Sequence, residues 1–120
     1  MHPIDKSFGH AIEGIIHAVK ENRNLKIHLV IAILVLILSF LFRIKGYEFV
    51  DLIVVIVLVI SAEMINTSLE EMVNLITTEH RQEAKVAKDV AAGMVLVVSI
   101  GAAIVGAYVF LPYILKLIGF

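Results

Sequence analysis

Glu63-Met64-Ile65-Asn66-Thr67-Ser68-Leu69-Glu70 interrupts an apolar run that otherwise looks bound for a membrane. A carboxylate at the centre of a spanning helix costs roughly 2.5 to 3.5 kcal/mol or more. Acids are kept at such depth mainly where they serve a site. The run around this stretch has no breaker from Phe49 to about Thr77. At about 1.5 Å per residue, a helix from Phe49 to Ile76 is roughly 42 Å long. The hydrocarbon core is only about 30 Å thick, so the last two turns should emerge on one side. Glu63 then lies roughly 21 Å along the helix and Glu70 roughly 31 Å. This puts Glu63 inside the membrane near its far face and Glu70 at the boundary.

Composition agrees with a membrane setting. Hydrophobic residues make up 60% of 120 residues, above the roughly 45 to 50% usual for soluble domains, and they are blocked rather than scattered. There is no cysteine, hence no disulfide framework and no thiolate site. A net charge of -1 gives no reason to expect a nucleic-acid partner. The start, Met1-His2-Pro3-Ile4-Asp5-Lys6, lacks the basic-then-apolar order of a signal peptide, so the spans themselves are expected to direct insertion.

The expected fold is an all-α integral membrane protein, one membrane domain over residues 1–120. An amphipathic surface helix occupies about residues 5–24, with Phe8, Ile12, Ile15, Ile16 and Val19 at helical spacing. Asp5 or Ser7 is placed to cap its start. Spans follow at about residues 25–43, 49–76 and 84–117. In the first, Leu29 to Phe42 is apolar except for Ser39, which is short for a span of about 20 residues. Extending it back to Leu25 includes Lys26 and His28, both read as snorkelling to the headgroups. Ala91, Ala92, Gly93, Gly101, Ala102, Ala103, Gly106 and Ala107 suit close helix approach in the third span. Three spans leave almost no soluble core, so a site is expected to need neighbouring copies.

Lysine and arginine set the orientation. Lys6, Lys20, Arg23, Lys26, Arg81, Lys85 and Lys88 share one side, against Arg43, Lys45 and Lys116 on the other. The N-terminus, the connection between the second and third spans and the Glu70 end are therefore expected in the cytoplasm of a multi-pass bacterial cell-membrane protein.

On a helical wheel of about 100° per residue with Glu63 at zero, Asn66 falls at about -60°, Thr67 at about +40°, Glu70 at about -20° and Asn74 at about +20°. They form one polar stripe. The antiparallel third span brings Lys88 and Asp89 to about the depth of Glu70, and the surface helix ends on the same side at Lys20-Glu21-Asn22-Arg23-Asn24. Singly, each residue has an ordinary structural use, as an interhelical hydrogen bond or an interfacial ion pair. Together they mix carboxylates, amides and cations at one depth. Mg²⁺ takes oxygen ligands and is held by one or two carboxylates plus substrate phosphates. Phosphoryl transfer adds a cation for the phosphate and a base for the nucleophile's proton. Glu70 is placed for metal, Lys88 for phosphate, and Glu63 to meet a hydroxyl carried by a lipid. No Walker sequence or kinase-type glycine loop occurs. A proton or cation pathway fits the same residues, although the wholly apolar stretch 52–60 disfavours a pore.

At these residues the chain resembles the prokaryotic diacylglycerol kinase family, including its undecaprenol kinase branch from Gram-positive bacteria. Glu63-x-x-Asn66-Thr67-x-x-Glu70 and Ala84-Lys85-x-Ala87-Lys88-Asp89-x-Ala91-Ala92-Gly93 carry the resemblance. His10-Ala11-x-x-Gly14 and Asn24-x-Lys26-Ile27-His28 add a weaker match, and this last block leans towards the undecaprenol branch. The resemblance implies a homotrimer of three-span subunits that moves the γ-phosphoryl of ATP, with Mg²⁺, to a membrane alcohol. Undecaprenol is the expected acceptor and diacylglycerol the second candidate. A non-catalytic membrane assembly or ion-binding protein with a degenerate site is the reading from another class. By matching position, Glu63 resembles the catalytic base and Glu70 a metal ligand. His10, Asn66, Glu79, His80, Arg81, Lys88 and Asp89 resemble active-site and nucleotide contacts. Two positions depart. The family usually has a metal-binding Glu where this chain has Asn22, and an Asp where it has Asn74. The expectation left open is that Asn22 ligates through its amide oxygen or that Glu21 substitutes.

Overall fold

The computed structural model describes residues 2–120. Four helices follow one another: α1 Pro3–Glu21, α2 Arg23–Phe42, α3 Gly46–Ile76 and α4 Gln82–Leu117. Among the described residues there is no strand. By length and composition, α2 and α4 are each long and apolar enough to cross a membrane.

Helix α1 begins earlier than its amphipathic pattern. His2, rather than Asp5 or Ser7, caps it, its Nδ1 accepting the Ile4 N–H at 3.3 Å. Pro3 takes the first turn, where a missing N–H has no bond to lose. The helix leaves Ile4, Phe8, Ile12, Ile15 and Ile16 exposed on one stripe, as suits a helix lying on a bilayer. It stops at Asn22, a single extended residue (φ -108°, ψ 105°), after which α2 starts at once. The surface helix thus ends before residue 24, and Arg23 and Asn24 belong to the next element.

The turn from α2 to α3 is tight. Arg43 adopts the left-handed conformation (φ 50°), and the Ile44 N–H bonds back to the Ser39 carbonyl at 3.3 Å, closing the C-terminus of α2 in Schellman fashion. Helices α3 and α4 run antiparallel and form the most extensive pairing. Tyr113 Oη donates to Glu48 Oε1 at 2.5 Å at one end. Lys88 Nζ donates to Asn74 Oδ1 at 2.7 Å at the other. Leu52, Val109 and Phe110 make a small core near the Glu48 end, with Val35, Phe42, Ile44 and Val105 against it. Buried Leu25, Ala32 and Ser39 mark the face that α2 turns inward. Helix α4 continues through Pro112.

Candidate active site

The polar stripe of α3 faces inward. Glu63 is 1% exposed, Asn66 7% and Thr67 8%, while Glu70, about two turns beyond Glu63, is exposed. Asn22, at the α1–α2 break, spans the gap to this stripe. Its Nδ2 donates to Glu63 Oε2 at 2.9 Å and to Thr67 Oγ1 at 2.7 Å. Its Oδ1 accepts the Leu25 N–H at 3.0 Å, capping α2. Thr67 in turn donates its hydroxyl to the Glu63 carbonyl at 3.0 Å.

The second Glu63 oxygen faces His28, whose Nε2 lies 3.5 Å away. This corrects the expectation that His28 snorkels to the headgroups. Leu25, His28, Ala32, Val35 and Ser39 follow one another at spacings of three and four, so His28 sits on the inward stripe of α2, whereas Lys26 is exposed. That spacing is present in the sequence, but a reading by charge hides it.

Asn66 donates to Glu70 Oε1 at 3.2 Å, and its own Oδ1 is buried with no partner. A cavity of about 310 Å³ opens here, lined by Glu21, Asn22, Asn66, Thr67, Glu70 and Asn74, among others. A second, of about 280 Å³, is lined by Glu79, His80, Arg81, Lys85, Lys88 and Asp89, among others. The Lys88–Asn74 hydrogen bond joins the two. The sequence-predicted residues thus fall into two neighbouring groups. Asp89 pairs with Lys85 at 2.6 Å, and Arg81 with Glu79 at 3.2 Å. His10 belongs to neither group. It is exposed and faces Glu13 on its own helix at 3.6 Å.

The donor set fits Mg²⁺. The Glu70 carboxylate offers hard oxygens beside the cavity, and the Asn66 amide, whose NH₂ now donates to Glu70, would add its partnerless Oδ1 on turning over. Among the described residues no three His, Asp or Glu side chains gather to hold an ion by themselves.

One contact escaped sequence reasoning. His17 Nε2 meets Glu71 Oε1 at 2.6 Å and ties α1 to α3. The hydrogen bond to Glu71, and then its charge, raise the His17 pKa above its ordinary 6.5.

A third cavity, of about 390 Å³, runs between α2, α3 and α4. His28 and Ser99 are its polar lining residues. Ala32, Leu52, Val59, Ala103, Gly106 and Phe110 are among the apolar ones. The small residues of α4 thus open a groove rather than only closing a helix seam.

The model of the prokaryotic diacylglycerol kinase family matches residues 9–110. The chain belongs to that family. It is 40% identical to the undecaprenol kinase of Bacillus subtilis (strain 168) over 107 residues, covering 89% of this chain and 87% of the relative. It is 37% identical to a diacylglycerol kinase of Synechocystis sp. over 112 residues, covering 92% of this chain and 64% of that relative. The protein is therefore a membrane lipid kinase with ATP as phosphoryl donor, and the non-catalytic reading falls away.

Proposed function

We propose that this enzyme phosphorylates undecaprenol at the cytoplasmic face of the bacterial cell membrane, as a homotrimer of three-span subunits. The observation that carries the acceptor reading is the groove that ends beside Glu63. Ser99 to Phe110 of α4 line it over roughly 17 Å of helix. A polyprenol has one polar group, its hydroxyl, at the end of a branched apolar chain. The groove offers the matching pattern: small apolar walls and a polar end at His28 and Ser99. A diacylglycerol adds two ester groups beyond its hydroxyl, which the apolar length of the groove would bury away from His28 and Ser99.

In this reading Glu63 accepts the hydroxyl proton as the oxygen bonds to the γ-phosphorus and the bond from that phosphorus to the β–γ bridging oxygen breaks, releasing ADP. Bound Mg²⁺ would neutralise charge on the phosphates, held by Glu70 and the Asn66 amide oxygen. Lys88 turns to the phosphates, exchanging its Asn74 contact for them. Glu79, His80, Arg81 and Asp89 line the neighbouring cavity for the nucleotide. His10, exposed and apart from both groups in its own subunit, would serve a site on a neighbouring copy. The same reading is supported by Gly93 and Gly101, where an added Cβ meets nothing within 4 Å. The chain's own packing does not demand those glycines, whereas close approach of a second copy does.

The test uses purified protein in micelles with Mg²⁺, γ-labelled ATP and each alcohol in turn. Labelled phosphate should pass to undecaprenol faster than to diacylglycerol. Preference for diacylglycerol overturns the acceptor, and cross-linking that yields only monomers overturns the trimer.

A further inference from the structure

We infer that Asn22 positions the Glu63 carboxylate and is not a metal ligand. This rests on the proposed role of Glu63, and it departs from the expectation that position 22 ligates metal. The orientation of one amide decides it. The N-terminus of α2 has unpaired backbone N–H groups, and the Leu25 N–H takes Asn22 Oδ1 as its acceptor at 3.0 Å. That bond fixes which end of the amide faces which way. With the oxygen on α2, the NH₂ end is turned to α3.

An amide NH₂ has two hydrogens, and both are used: Glu63 Oε2 at 2.9 Å and Thr67 Oγ1 at 2.7 Å. The Thr67 acceptor role is consistent, because its own hydrogen goes to the Glu63 carbonyl. Asn22 therefore presents donors, and no lone pair, to the interior of the site. A cation would meet N–H groups there. A buried carboxylate meets what it needs, a charge-assisted hydrogen bond that holds one oxygen and leaves the other free beside His28. A glutamate at this position would instead set a second carboxylate against Glu63, tolerable only with a cation between them.

Asn22 is also the only residue between α1 and α2. The break that ends the surface helix is thus tied to the base by the same side chain.

Three substitutions separate the roles. Asn22→Ser keeps a good cap but is too short to reach Glu63. Its kcat for lipid phosphorylation should fall about tenfold to a hundredfold, as expected for a misplaced reacting group. KM for MgATP and the Mg²⁺ dependence should stay within about twofold. Asn22→Asp, isosteric and equally able to cap, should lose at least as much. Asn22→Glu, which sets an acceptor where Glu63 now meets a donor, should lose kcat as well. A fourth measurement needs no turnover: the Asn22 side-chain NH₂ resonances of the full chain in micelles should move in Glu63→Gln and stay in Glu70→Gln. Wild-type kcat in Asn22→Ser, or kcat retained in Asn22→Glu, overturns the inference. So does an Asn22 resonance indifferent to Glu63→Gln. Failure of the wild type to phosphorylate any alcohol would instead overturn the assignment of Glu63 as base, and the resonance test would still decide the contact.

Discussion

Replacing Glu63 by glutamine removes the proposed base and little else. The side chain is 1% exposed, and the substitution keeps its shape. The amide oxygen of the introduced glutamine still accepts from Asn22 Nδ2, which stands 2.9 Å from the present Glu63 Oε2. A hydrogen bond to a charged group contributes about 1.5–3 kcal/mol and a neutral one about 0.5–1.5 kcal/mol, so the change costs about 1 kcal/mol. Relief from burying a charge acts in the opposite direction and is commonly several kcal/mol. Folding stability should therefore fall by no more than about 1 kcal/mol. The rate should fall much further. Positioned general bases contribute about 10²- to 10⁴-fold, or roughly 2.7 to 5.4 kcal/mol in the barrier. Initial rates at saturating MgATP, with thermal melts in the same micelles, measure both. Glu63→Leu is the contrasting variant, since it strands a buried Asn22 hydrogen at a cost of about 1–3 kcal/mol in stability. A kcat for Glu63→Gln within about threefold of wild type would refute the assignment, since no base worth about 10²-fold could then have been lost.

The acceptor groove predicts a split at Gly106: Ala should be tolerated, since its Cβ meets nothing within 4 Å. Leu should intrude on the chain and raise KM for the alcohol with KM for ATP unchanged, read from initial rates. The His17–Glu71 contact predicts a pH dependence. His17 is raised above 6.5 in the folded protein, so the contact's contribution is complete below that value and is lost as pH rises through the raised folded one. Hydrogen exchange of α1 should accelerate over that window in the wild type and not in His17→Gln. At the α2–α3 turn, Arg43→Gly relieves a left-handed residue (φ 50°) and should stabilise the fold by about 0.5–1 kcal/mol, seen as a raised melting temperature.

The helices were legible because their signals are long. The apolar run before Glu63 and the polar stripe after it need only a period of 3.6, and three residues of that stripe, Glu63, Asn66 and Thr67, are buried together. Helix ends were less legible because a cap is a choice among neighbours. Asp5 and Ser7 are good caps by residue type, yet Pro3 prefers the first turn and hands the role to His2. His28 was misread for a different reason. Near a membrane boundary a histidine serves equally as a headgroup contact and as a carboxylate partner; its spacing from Leu25, Ala32 and Ser39 marks the inward stripe, but the partner, Glu63, is visible only in three dimensions. The His17–Glu71 tie joins residues 54 apart in sequence, and no local pattern announces it.

Asn22 shows why composition alone misjudges this site. Counted by charge, an Asn in place of an expected Glu is a lost ligand, and Asn74 is a second loss. Counted by hydrogens, the outcome changes. Asn22 satisfies the start of α2 and a buried carboxylate with one amide. Asn74 holds Lys88 through its oxygen, as an Asp would, with no charge pairing to hold the lysine back from a phosphate. On the proposed assignment, two neutral amides leave the cation to Glu70 and Asn66 and leave Lys88 more readily released. A site arranged in this way should depend on the nucleotide's own phosphates to complete the Mg²⁺ shell, binding Mg²⁺ weakly without ATP and more tightly with it. Equal Mg²⁺ affinity with and without a non-hydrolysable ATP analogue, measured by calorimetry, would rule out that division of labour.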